Sequence, residues 1–226
     1  MKLKKLSEIV LLDVVFVSIS YILGLIATKM IRTEYNKLLE IDIESVIQKT
    51  NTEINRVSES MSHHLSAIVT VAIIFAIIII TNWSFFQYMV YSKILDKKHN
   101  SKQFFKFLGL NFAWAAGFAS IMFVIQKGAQ IYLLYTLNIT MILLFAYYTN
   151  ILYISFFRKS VKKTLKIGFY KFHKQAIPYI IMAAILYSLV KISSIFPYSH
   201  FLIKALMLII AITAIDFTRI YIAKSI

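Results

Sequence analysis

The stretch Leu65–Ile80, LSAIVTVAIIFAIIII, decides the class of this protein, because sixteen residues run with hardly a polar interruption. A soluble core of a 226-residue chain could not hide several such runs, and hydrophobic residues make up 59% of this sequence against roughly 45–50% in soluble domains. A bilayer core about 30 Å thick takes roughly 20 apolar residues per helix. Working outward from Leu65–Ile80, spans are expected at about 8–30, 65–91, 104–126, 130–157, 176–196 and 201–222. A membrane barrel would show short alternating segments instead, so the expected fold is all-α, an integral membrane bundle of six transmembrane helices forming a single domain over residues 1–226.

Charge orients the bundle. The formal net charge of +15 sits at span boundaries, with no soluble basic domain or recognition helix, so lipid and not nucleic acid is the expected partner. Lys2, Lys4 and Lys5 precede span one; Lys93, Lys97, Lys98, Lys102 and Lys106 surround the second turn; the segment from Arg158 to Lys174 holds seven cations. The opposite short turns hold only Lys127, and none between Pro197 and His200. The positive-inside rule then places both termini in the cytoplasm of a multi-pass cell-membrane protein. The basic N-terminal run is read as a retained first helix, since no small-residue cleavage site follows it.

The basic turns are expected to form cytoplasmic elbow helices. In the second, Val161, Leu165, Phe169 and Phe172 recur at helical spacing with Lys159, Lys162, Lys163 and Lys166 on the other side, the pattern of an interfacial helix. Lys97, Lys98, Lys162, Lys163 and Lys166 are the candidate contacts to anionic headgroups; topology determination alone is the simpler reading. An ungapped shift of 65 residues lays Tyr88 on Tyr153, Lys97-Lys98 on Lys162-Lys163, and Phe104–Phe107 on Phe169–Phe172. A second shift lays Phe156 on Tyr221 and Lys159 on Lys224, suggesting a parallel repeat of helix, basic elbow and helix.

Residues 31–63 form the one long outer segment, with six of the ten acidic residues. Leu39, Ile43, Val46, Ile47, Ile54, Val57 and Met61 follow helical spacing, and Thr50-x-x-Glu53 has the form of a capping box. One helix is expected to continue span one and another to run from about Thr52 into span two. Their apolar faces need a cover: each other, a second protomer or another protein. His63 and His64 point about 100° apart and lack the i, i+4 spacing of a metal pair.

Charges inside hydrocarbon cost about 2.5–3.5 kcal/mol on insertion scales, which singles out Asp13 and Asp216. Asp216 precedes Arg219 by three residues, on one helical face, so an intrahelical ion pair accounts for both. Asn82, Gln87, Asn111, Asn138 and Asn150 are read as bonding between helices, and Lys191 and Lys204 as snorkelling. The absence of cysteine removes thiolate chemistry, and no His-Glu-x-x-His, serine–histidine pair, paired acidic motif or phosphate loop is present. No catalytic residue, metal or cofactor is expected. Pro178 and Pro197 avoid helix centres, unlike the broken helices of many carriers. The expectation is a non-enzymatic membrane protein that interacts with lipid or serves as an assembly subunit, the alternative being a small transporter using Asp13 and Asp216. In layout alone, the six spans and basic elbows resemble the membrane domain fused to some glycerophosphodiesterases and related prokaryotic proteins, a resemblance that carries over no functional residue.

Overall fold

The computed structural model describes residues 3–41, 51–128, 131–158, 166, 170, 172–195 and 201–225. Among these it is all-helical: α1 (Leu3–Leu39), α2 (Asn51–Ile94), α3 (Ser101–Gly128), α4 (Ile131–Arg158), α5 (Phe172–Ile195) and α6 (Phe201–Ser225). α1, α2, α3 and α6 each carry a described stretch long and apolar enough to cross a membrane; in α5 the corresponding stretch is the shorter Ile177–Leu189. At 1.5 Å per residue the 37 residues of α1 and 44 of α2 reach roughly 55 and 65 Å, well beyond a hydrocarbon core of about 30 Å.

The chain divides into two compact units, Met1–Val15 with Ser84–Ile226, and Phe16–Trp83. In the first, α5 packs along α6, α3 on α4, and α4 on α6. Its buried core joins Ile9, Tyr88, Val90, Tyr91, Phe107, Tyr153, Ile154, Phe157 and Ile222. Aromatic rings carry much of it: Phe107 lies 4.7 Å from Tyr153 and 5.8 Å from Tyr88, and Tyr91 meets Tyr153 edge to face at 5.2 Å. Such pairs add about 0.5–1.5 kcal/mol beyond their burial.

The second unit is an antiparallel pair of helices. Phe16 meets Trp83 edge to face at 5.2 Å, Asn82 donates to Ser20 Oγ at 3.1 Å, and His64 Nδ1 lies 2.8 Å from Glu34 Oε2. The three contacts keep one register, each pair of residue numbers adding to nearly the same sum. A two-helix unit can cover only one stripe of each helix, so Ile22, Leu25, Leu65, Val69, Ile73 and Ile74 are exposed. α1 runs to Leu39 and α2 starts at Asn51; Thr50 and residues 42–49 lie outside the described residues.

The elbow between α2 and α3 differs from the expected elbow helix. Lys97 N–H donates to Ser92 C=O at 2.8 Å and Asp96 N–H to Lys93 C=O at 3.3 Å, with Asp96 at φ 53°, a Schellman cap that ends α2. Asn100 then caps α3, its Oδ1 accepting from Lys102 N–H at 2.9 Å. The hydroxyl of Tyr88 both donates to Asn100 C=O and accepts from Asn100 N–H, each at 3.0 Å. Between two caps so close together no helical turn fits, and Lys97 and Lys98 stand exposed on a tight turn. In the second elbow Lys166 and Tyr170 have helical backbone and exposed side chains, with Lys166 Nζ 5.9 Å from the ring centroid. Of the rest of that amphipathic pattern Phe172 opens α5, while Lys159, Val161, Lys162, Lys163, Leu165 and Phe169 lie outside the described residues.

Candidate functional site: a buried polar centre

The polar centre of the first unit is built on Arg219, one and a half turns before the end of α6. Its Nη1 donates to Asp216 Oδ1, one turn back, at 3.1 Å, and also to Asp13 Oδ2 on α1. All three residues are buried, Asp216 completely. The spacing of Asp216 and Arg219 foretold half of this arrangement. The other half joins residues 206 positions apart and depends on tertiary packing. One guanidinium facing two carboxyl groups leaves either one net negative charge or one protonated carboxyl.

A chain of neutral hydrogen bonds extends from the neighbouring helices. Tyr91 on α2 donates to Asn150 Oδ1 on α4, and Asn150 Nδ2 donates to the hydroxyl of Tyr179 on α5. Tyr179 in turn donates to Ala146 C=O at 3.3 Å. Beside it, Tyr153 donates to Asn111 Oδ1 on α3, and Asn111 Nδ2 donates to Phe107 C=O at 3.1 Å. Trp114 Nε1 donates to Thr149 Oγ1 at 2.8 Å. Every helix of this unit therefore places at least one polar side chain in a buried bond. Tyr91, Tyr153 and Tyr179 were missed from sequence, because tyrosine in an apolar run reads equally well as packing or as an interfacial anchor.

Satisfaction is incomplete at three buried atoms. Asp13 Oδ1, Asp216 Oδ2 and Gln87 Nε2 have no hydrogen-bond partner among the described residues. Asn82 bonds to Ser20 in the helix pair, and Lys191 Nζ sits 5.7 Å from the Tyr187 ring centroid. Asn138 has no described side chain.

A separate cluster lies on the helix pair. Glu34 accepts from Lys37 Nζ at 2.7 Å and pairs with His64. The hydrogen bond from Lys37, followed by that from His64, holds the Glu34 carboxyl below the usual glutamate range. His64 is thus engaged with a carboxylate, while His63 stacks edge to face on it at 5.6 Å. Among the described residues no group of three or more metal-ligating side chains converges. Comparison of the chain with protein-family models, curated proteins and solved structures finds no match.

Proposed function

We propose that this chain is a six-span integral membrane protein with both termini in the cytoplasm, and that it acts without catalysis as a lipid-interacting or assembly subunit. The observation that carries this reading is the inward closure of the polar centre. Arg219 pairs with both Asp13 and Asp216, and the tyrosines and asparagines around them bond between helices. Such a centre holds helices in register. What the chain offers outward is an apolar hairpin surface and basic helix ends, the chemistry of lipid and protein contact. The layout resembles membrane domains that accompany glycerophosphodiesterases, in keeping with an accessory role.

The same reading makes the three helix ends related copies. Under the 65-residue shift several buried positions coincide, as at Phe86, Ile151 and Asp216; Tyr88, Tyr153 and Thr218; and Ser92, Phe157 and Ile222, whereas buried Gln87 and Tyr91 fall on exposed Phe217 and Tyr221. A duplicated hairpin that keeps one buried face accounts for that register.

A mild-detergent purification from native membranes, with mass spectrometry of bound proteins and lipids, tests the proposal. A stoichiometric protein or a retained class of lipid is expected; isolation free of both refutes it. The second reading, a small carrier, is favoured by the buried oxygens of Asp13 and Asp216 that have no hydrogen-bond partner among the described residues. It requires a flux in proteoliposomes that Asp13→Asn and Asp216→Asn abolish in folded protein. An unchanged flux in both variants rejects it.

A further inference from the structure

Where α1 begins and α2, α4 and α6 end, the first unit forms a half-open cavity of about 580 Å³. This lies within the range of about 300–1,000 Å³ usual for small-molecule sites. Its polar lining is Lys5, Asp96, Arg158 and Lys224, over an apolar floor that includes Ile94 and Ile220. Asp96 is taken by Lys5, whose Nζ lies 2.7 Å from Oδ1. Arg158 donates through Nη2 to Ala223 C=O at 2.7 Å, which aims the guanidinium while leaving most of its donor fork free. Among the described residues neither Arg158 nor Lys224 has a carboxylate partner, so the lining carries three cations against one anion. A guanidinium fork beside an ammonium suits a phosphate group.

The neighbouring surface of α6 says what that phosphate is attached to. Tyr221 stands one turn before Lys224 and borders a second cavity, a groove of about 460 Å³ between α5 and α6. The groove is lined by apolar side chains, among them Ile177, Ile181, Met182, Ala214 and Phe217. A basic pocket at the helix ends with an apolar groove beside it along the helices is the division of an anionic phospholipid into headgroup and acyl chain.

We propose that the cavity of Lys5, Arg158 and Lys224 binds the phosphodiester headgroup of one anionic phospholipid, with an acyl chain in the α5–α6 groove. The site rests on the lipid-interacting reading above and deepens it. It is distinct from the elbow lysines Lys97 and Lys98, which line neither cavity.

The test is native mass spectrometry of the full chain released from nanodiscs of equal phosphatidylglycerol and phosphatidylcholine. The expected result is one phosphatidylglycerol retained per chain. The loss of two surface cations corresponds to roughly thirtyfold weaker retention in Arg158→Gln/Lys224→Gln, and of one to about fivefold in Lys224→Gln. The single variant guards against a folding effect, because Lys224 is exposed. Lys97→Gln/Lys98→Gln should retain the lipid. Ala214→Phe should fill the groove and weaken retention while leaving the basic pocket in place. If the wild type prefers phosphatidylglycerol and the Arg158 and Lys224 variants keep that preference, this site is overturned and the general lipid reading stands. No preference in the wild type overturns both. If excess inorganic phosphate binds as tightly as the lipid, and Ala214→Phe changes nothing, the pocket is a free-phosphate site and the acyl half of the proposal falls.

Discussion

The ends of the helices around Arg219 and the long pair Phe16–Trp83 are made from similar apolar sequence, yet they solve opposite problems. Around Arg219, six helices surround one another and polar side chains are buried in mutual bonds. In the helix pair, polar contacts such as Asn82 to Ser20 and His64 to Glu34 are spaced along one seam, and large aliphatic residues face outward. The number of neighbouring helices decides the difference. A side chain ringed by helices must find its hydrogen-bond partner in protein, whereas one on a two-helix ribbon takes the character of the surrounding medium. The first region is therefore internally determined and the second depends on what covers it.

The sharpest way to break this contrast is to remove Arg219. Arg219→Gln strands two buried carboxyl groups and is expected to destabilise the first unit by about 3–5 kcal/mol, read from detergent-induced unfolding. Adding Asp13→Asn and Asp216→Asn to the same chain should recover much of that loss, since the stranded charges go with the cation. Failure of the triple variant to recover would mean that the cluster's geometry, and not its charge balance, holds the helices.

The complementary test asks what covers the helix pair. Ile74 lies on the exposed surface of α2. With lipid against that face, Ile74→Lys should raise the insertion free energy of the segment by about 2.5–3.5 kcal/mol in a translocation assay, with little change in the stability of the Arg219 region. A neutral result would place water or a polar partner there and refute the span assigned to Leu65–Ile80.

How much of this was legible depended on the range of the interaction. The apolar runs announce helices because their length exceeds what a soluble core hides, and the i, i+3 spacing of Asp216 and Arg219 is a local fact. Asp13 joining that pair is not local, since it requires α1 to meet α6. The Tyr91–Asn150–Tyr179 chain likewise needs three helices brought together, and nothing in a single run distinguishes a bonded tyrosine from a packed one. The first elbow fails for another reason. Asp96 ends α2 through a left-handed backbone and Asn100 caps α3, features of local backbone geometry that the charge pattern of the surrounding lysines does not report.

The smallest expected effect comes from the seam of the helix pair, and it depends on pH. Glu34 is held ionised by Lys37 and His64, its carboxyl lowered from the ordinary value near 4.5. A carboxyl lowered on folding contributes stability that is present above that ordinary value and is lost as the pH falls through the lowered one. The pairing between α1 and α2 near Glu34 should thus hold at neutral pH and loosen only in acid. Spin labels at Lys29 and Ser66 would report a narrow distance distribution that broadens only in acid below the ordinary glutamate range. In Glu34→Gln the acid-dependent broadening should disappear, because the group that gains the proton is gone. Identical broadening in that variant would assign the acid response to another carboxyl, and a pair that stays narrow at every pH would show that Phe16–Trp83 and the rest of the seam hold the register without this ionic contact.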